Sequence, residues 1–380
     1  MTAPRASWVT DPAAFAALAP RWDALCAASA RPSVFASHAW LDSAWAWAQA
    51  SSAPRILLVD DGAAAAALAL AREPLAGLPF RTLQWLEVPD AQDCDLVCAP
   101  GAEVAAASAL LDALLAERGA WDKLRLGRLD DDSAVRSALP PLLEARRVAY
   151  RLEQVDANLY VDLAGDWEGF QAALSRSFKK KLNLARNRLA KLGATRVASY
   201  GAPGGELAAA DAFAALTAIS AKSWKQATGT TLDQPGPAAF AARLAARFAG
   251  SGRLHVWLLY LDERVVATEL QLVQGKNVHA LRSDFDPELE DASPGTNLSV
   301  EILRRLFASH QGGRYLMGPG ANAYKRRWTD KALPLYELTA YSPTARGRAR
   351  YLLEQKLRPA ARRIRDRMHK PQPAAVAETE

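Results

Sequence analysis

One order of elements is written twice into this chain, and that recurrence limits its possible folds more than any other feature. The segment L-L-D-A-L-L-A-E-R-G-A-W-D-K-L-R-L-G, ending at Gly127, reads as a leucine-rich helix, a glycine stop, a short strand and a second glycine. The segment I-L-R-R-L-F-A-S-H-Q-G-G-R-Y-L-M-G, ending at Gly318, repeats that pattern. A hairpin stands ahead of each. Arg55–Val59 turns at Asp60-Asp61-Gly62 into 63–71, and Leu254–Tyr260 turns at Asp262-Glu263 into Val265–Val273. Runs of β-branched and aliphatic residues around such turns are strand signals. The expected class is therefore α/β (α+β), built from a duplicated unit with a mixed twisted sheet flanked by helices.

The rest of the chain fits that frame. Residues 1 to about 30 read as a strand and a helix carrying Phe15, Leu18, Trp22 and Leu25, and a second helix carries Trp40, Leu41, Ala44 and Trp45. Further strands are expected at Leu83–Val88, Asp95–Val97, 123–126, Asn277–Phe285 and 315–317, with helices at 104–118 and 298–310. Between the repeats lies a basic helix, 175–192, whose Phe178, Leu182, Ala185, Leu189 and Leu192 share one face at 3.6-residue spacing. Lys180 lies opposite that face and Arg186 on its flank. They read either as a solvated surface or as a contact for phosphate or an acidic glycan.

Charge and motifs remove several function classes. The net charge is +6, but 341–370 alone holds ten Lys/Arg against two acids, so the remainder is slightly acidic. A basic tail of this kind suits anionic lipid, tRNA or an acidic polymer, or is simply solvated. The longest apolar run, 63–71, is too short to span a bilayer, and the opening residues lack a signal-peptide core, so a cytoplasmic protein is expected. Three cysteines give no disulfide framework, and Cys94 and Cys98 have no second pair or nearby histidine, so no metal site is expected. H-E-x-x-H, Walker, G-x-S-x-G and G-x-G-x-x-G motifs do not occur.

The residue types that can carry chemistry gather in the second repeat. Ser293-Pro294-Gly295-Thr296-Asn297 opens a helix, where unpaired N–H groups and the helix dipole favour an anion. Ser293 or Thr296 is placed to cap it, and Gly295 leaves the backbone open to a phosphate. Strand alternation sets Glu269 and Gln271 on one face, opposite Val266, Thr268, Leu270 and Leu272. Glu269 is either a general base with a raised pKa or part of a structural salt bridge. His279 and Asp284 on the next strand are further candidates. Lys325, beside Tyr324, suits a developing oxyanion or a donor phosphate, and its alternative is surface charge beside Arg326 and Arg327. Trp224 and Lys225 line an acceptor pocket or are a core indole and its exposed neighbour.

In order, F-A-S-H-A-W-L at 35–41, the basic helix, Ser223-Trp224-Lys225, S-P-G-T-N-L at 293–298 and Gly318-x-Gly320 leading to Tyr324-Lys325-x-x-Trp328 resemble the CelD/BioF-like acetyltransferase family of the GNAT superfamily. That group is related to Fem-type aminoacyltransferases. The resemblance is clearest over 150–330. It implies tandem GNAT-like domains, 1–150 and 151–340, with the donor site in the second and a basic helical tail, disordered at its end, over 341–380. It also implies acetyl-CoA or another acyl-CoA as co-substrate. Lys325 matches a lysine that lies at the active site of Fem-type relatives. The usual pyrophosphate loop, Q/R-x-x-G-x-G/A, does not stand at the corresponding helix start, where Ser293-Pro294-Gly295-Thr296 is found instead. The leading expectation is an N-acyltransferase acting on a small-molecule or glycan amine, such as an amino sugar in envelope or exopolysaccharide synthesis, with peripheral contact of the tail at the inner membrane face. A Fem-type aminoacyl-tRNA-dependent ligase and a non-catalytic binding protein on the same fold are the alternatives.

Overall fold

Alternating apolar residues and the two hairpins produce one long sheet. The structure is a computed structural model that describes residues 6–59 and 63–357, without the side chain of Trp224. The first repeat runs β1 (Ala6–Val9), α1 (Pro12–Ala17), α2 (Ala19–Ala28), α3 (His38–Ala48), β2 (Ser52–Val59), β3 (Ala64–Leu75), β4 (Leu78–Trp85), β5 (Val97–Cys98), α4 (Glu103–Ala116), β6 (Lys123–Leu129) and α5 (Ala134–Ala145). Next come β7 (Tyr150–Asp162), α6 (Trp167–Ala173), α7 (Arg176–Ala190), β8 (Thr195–Tyr200), α8 (Ala209–Lys222) and α9 (Pro235–Phe248). The chain continues through β9 (Leu254–Leu261), β10 (Arg264–Gln274), β11 (Asn277–Phe285), α10 (Pro294–Ser309), β12 (Arg314–Pro319), β13 (Ala332–Tyr341) and α11 (Ala345–Leu352).

The strand order is β1-β2-β3-β4-β6-β13-β7-β12-β11-β10-β9-β8, with β5 pairing β3. Each outer set is an antiparallel meander of four strands closed by one parallel neighbour, β6 beside β4 and β12 beside β11. The strand that follows each set in the chain joins the other set. β7 pairs with β12, and β13 pairs with β6, while β7 and β13 pair with each other over nine residue pairs. The two repeats are thus tied by exchanged strands.

Three apolar cores follow from this layout. One packs α4 and α5 on the first set, and another packs α6, α7 and α10 on the second. The third is shared, with Trp40 of α3 edge-on to Phe240 of α9 at 5.3 Å. Among the described residues no helix is long and apolar enough to cross a membrane.

Some boundaries differ from expectation for identifiable reasons. The strand expected at Leu83–Val88 begins earlier, at Leu78, because Ala76 and Gly77 form the turn in left-handed conformations. The strand at Asp95–Val97 shrinks to Val97–Cys98, since the Asp95 carboxylate accepts the Ala134 and Val135 N–H groups at the start of α5. Leu192 leaves the apolar stripe of α7, which ends at Ala190, and is 53% exposed. The basic tail lies outside the described residues from 358 onward. Within its described part, Arg346 pairs with Asp122, and Arg350 with Glu73 and Glu354.

Candidate active site

The chemistry of the second repeat is arranged by a bulge in β11. In the ladder with β10, Leu270 faces Arg282 while the next residue, Gln271, faces Ala280, so Leu281 is the extra residue. The bulge reverses which residues face which side. Ser283 now points toward α10, whereas Arg282 and Asp284 point toward α8 and the turn 224–228. A second bulge, in β10 at Val266, places Val266 in the same core as Ala267, not opposite Glu269 as alternation predicts.

Beyond that point the sheet opens. The parallel ladder of β11 and β12 consists of Val278–Tyr315 and His279–Leu316, although β11 continues to Phe285 and β12 to Pro319. The next acceptor on β11, the Ala280 carbonyl, is taken by a side chain from the first repeat, with Gln92 Nε2 donating at 2.8 Å. Gln92 Oε1 accepts from Asn158 Nδ2 at 3.0 Å and pairs with His279 Nδ1 at 3.1 Å. Lys325 arrives at the opening from the other side. Its ammonium donates to the carbonyls of Gly318 at 2.6 Å and Pro319 at 2.8 Å. Burial lowers its pKa to about 8, against a small opposing pull from Asp156. Gly318 sits between these groups at φ +80°, and a Cβ there would lie 3.4 Å from Ala280 O, 3.7 Å from Gln92 Nε2 and 3.8 Å from Lys325 Nζ. The opening therefore presents a methyl-sized space flanked by an amide and an ammonium.

The start of α10 adjoins this opening and offers less than the sequence suggests. Ser293 adopts a left-handed conformation, φ 50° and ψ 55°, and makes no side-chain cap. Its hydroxyl instead donates to Glu290 O. Pro294 has no N–H, and the N–H groups of Thr296 and Asn297 both donate to Ser293 O. Asn297 Nδ2 donates to Ala292 O and Ser293 O. Among the described residues, only the Gly295 N–H of the first turn lacks an acceptor. Positive charge is added by α7, whose Arg188 donates to Asp291 O at 2.9 Å.

Glu269 lies beneath α10, buried, and forms no salt bridge among the described residues. It accepts from Gln271 Nε2 and Tyr315 Oη through Oε1, and from Ser283 Oγ through Oε2, at 2.6, 2.7 and 2.8 Å. Burial raises its pKa, and the three hydrogen bonds oppose that. Tyr324 Oη is 3.1 Å from Ser299 Oγ on α10, which links the Lys325 segment to the same helix. Glu269, Tyr324, Lys325 and the α10 start thus converge around one end of β11.

Asp284 and Lys225 lie on the opposite face and are bonded to each other at 2.8 Å. Lys225 also donates to Ser283 O. It is neither exposed nor a simple neighbour of an indole: burial lowers its pKa, and Asp284 counteracts the shift. Asp284 Oδ2 and the Thr268 hydroxyl opposite it are buried and have no hydrogen-bond partner among the described residues. The Trp224 side chain lies outside the described residues. Lys180 and Arg186 stand exposed on α7.

The sequence reading missed Gln92, Asn158 and Tyr315. Gln92 is about 190 residues from the strand it completes, and no local pattern marks such a contact. The buried Arg282–Asp90 pair, 2.9 Å, fixes the Gln92 segment against β11 and was equally hidden.

Residues 176–326 match the family model described as an acetyltransferase (GNAT) domain. The second repeat therefore carries a GNAT-type acetyltransferase domain. No curated protein matches the chain. FemX shares the fold at 12% identity and a TM-score of 0.54, over 89% of this chain and 98% of that one. L-PGS from Bacillus licheniformis does so at 12% identity and a TM-score of 0.52, over 94% and 97%. The C-terminal domain of a putative lysylphosphatidylglycerol synthetase from Agrobacterium fabrum aligns at 16% identity and a TM-score of 0.51, over 89% and 97%.

Proposed function

We propose that this chain is an N-acyltransferase that draws an acyl group from acyl-CoA, acetyl-CoA in particular, at the opening between β11 and β12. The observation that carries this reading is the two-pair β11–β12 ladder, which opens beside the start of α10 within the segment matching the acetyltransferase domain. The donor phosphates would meet the Gly295 N–H and the positive end of α10. The thioester carbonyl would face Lys325, whose ammonium has a third N–H to offer developing negative charge. The acceptor amine attacks the carbonyl carbon, the C–N bond forms, and the C–S bond breaks. The departing thiolate takes a proton, for which the Tyr324 hydroxyl beside Lys325 is the proposed source. An amino sugar of envelope or exopolysaccharide synthesis is the proposed acceptor, and the family resemblance supports it.

The single free N–H at the α10 start suggests the test. Gly295→Asp introduces an anion where a donor phosphate would bind. An acid in a first helical turn favours the helix, and a Cβ at Gly295 would sit 3.5 Å from Phe285, an ordinary contact, so folding should persist. Calorimetry should show CoA and acetyl-CoA binding to the wild type and at least tenfold weaker binding to the variant. No binding of any acyl-CoA at millimolar concentration would overturn the reading. Aminoacyl-tRNA would then be the donor to test, since the exposed basic face of α7 and the likeness to FemX favour that second reading.

A further inference from the structure

The two repeats enclose a cavity of about 490 Å³ on the face of β11 and β12 away from α10. That volume suits a small molecule. The first repeat supplies most of the wall, through 29–33, 93–98 and 128–134, and the second supplies Asn277, His279, Arg314 and Leu316. Six carboxylates and three guanidinium groups line it. Most of these charges are already committed. Asp95 accepts the first N–H groups of α5, Asp130 pairs with Arg31, and Arg128 pairs with Glu87. Asp132 and Arg314 form no ion pair among the described residues but are exposed, and Asp93 is the half-buried carboxylate that remains. Its Oδ1 accepts from Ser33 Oγ at 2.5 Å, and its Oδ2 has no protein partner among the described residues. Burial raises this carboxyl to about 6, with Ser33 opposing the shift and Asp130 adding to it.

An independent feature points into the same space. His279 is 6% exposed and lines the cavity floor. Gln92 Nε2 donates to Ala280 O and Gln92 Oε1 accepts from Asn158, so Oε1 is the acceptor for His279 Nδ1–H. That fixes the tautomer and leaves Nε2 with a lone pair and no protein donor among the described residues. Burial, which lowers the ring pKa to about 4, keeps it neutral. Among the described residues no three His, Cys or acidic groups converge in a way that holds a metal ion.

We propose that this cavity is the acceptor site and takes a small cationic amine, with its ammonium against Asp93 and an N–H directed to His279 Nε2. The inference rests on the acyltransferase reading and deepens it. Asp93 takes one proton from the ammonium, and the neutral amine then attacks the thioester carbon. The nitrogen passes its second proton to solvent as the C–N bond forms, and the sulfur leaves as a thiolate that is protonated. His279, in the last pair of the β11–β12 ladder, lines the cavity and is linked to the opening by Gln92, which bonds both its ring and Ala280 O, and past this point the amine would reach the thioester. Asp93 is the catalytic acceptor of the proton, and Gln92 is the positioning residue that orients His279.

The test is calorimetric titration of the full chain with putrescine, glucosamine and N-acetylglucosamine, with acetyl-CoA titrated in parallel. Wild type should bind the two amines and not the N-acetylated sugar. Asp93→Asn should weaken amine binding at least tenfold, and His279→Leu three- to tenfold, with acetyl-CoA affinity unchanged in both. Undiminished amine binding in both variants, or equal binding of N-acetylglucosamine, overturns the proposal. If amines bind in an Asp93-dependent way while acetyl-CoA does not bind, the amine site stands and the acyl-CoA reading falls. If acetyl-CoA binds and neither amine does at 10 mM (about ten times a 1 mM dissociation constant), the donor reading stands and the amine site is overturned.

Discussion

At the scale of single residues, Lys325 is the group whose protonation decides most. Two of its N–H groups are held by the Gly318 and Pro319 carbonyls, which aims the remaining one, and burial brings its pKa to about 8. If the ammonium stabilises the oxyanion, activity depends on the charged form. Lysine loses its charge as pH rises through its pKa, so kcat should fall on the alkaline side near pH 8. Lys325→Arg keeps a charge that does not titrate in this range and should move that alkaline limb upward by at least one pH unit. Lys325→Ala should lower kcat by about 10²–10³-fold, the usual cost of losing one oxyanion donor. A pH–rate profile for the three proteins checks this, and an alkaline limb that stays in place in the arginine variant refutes the assignment.

At the scale of elements, the bulge at Leu281 and the short β11–β12 ladder create the site, and Gly318 keeps it open. Its φ of +80° disfavours any side chain, and a Cβ would occupy the space among Ala280 O, Gln92 and Lys325. Gly318→Ala should cost roughly 1–2 kcal/mol of stability, as left-handed backbone does for L-residues. If the opening holds the acyl group as proposed, the variant should lower kcat more than it changes acetyl-CoA affinity, because the methyl group would take that place while the α10 start is untouched. Denaturant titration and steady-state kinetics separate the two effects. The elements themselves were largely legible in the sequence, since β2–β3, β9–β10, α4, α7 and α10 follow from turns, periodicity and glycine stops. Glu269 beside Gln271 was legible for the same reason. The bulges were not, because one extra residue leaves composition unchanged and yet reverses every later side chain. The Ser293 cap failed in a similar way: the residue type is right, but its backbone turns left-handed and its hydroxyl goes to Glu290.

At the scale of the whole molecule, the exchanged strands β7 and β13 and the Asp90–Arg282 pair make the second repeat's site depend on the first. Strand exchange was illegible because β7 and β13 choose partners far away in sequence, whichever repeat they follow. Its consequence is cooperativity, since neither half can leave without breaking the β7–β13 ladder and the shared core around Trp40 and Phe240. Denaturant unfolding followed by tryptophan fluorescence and by far-ultraviolet circular dichroism should therefore give one coincident transition. Arg282 is 1% exposed in its side chain and is held by Asp90 and by the Thr230 carbonyl. Removing Asp90 leaves a buried guanidinium with a single acceptor, so Asp90→Ala should cost about 3–5 kcal/mol. Replacing both partners, Asp90→Leu with Arg282→Met, removes the unpaired charge and should restore most of that loss. The double variant should nonetheless lose activity, because the ion pair also holds Gln92 against Ala280 at the opening. Equal stability losses in the single and double variants would mean that packing at this junction, not charge burial, sets the energy. Full activity in the double variant would mean that Gln92 keeps its place without the pair.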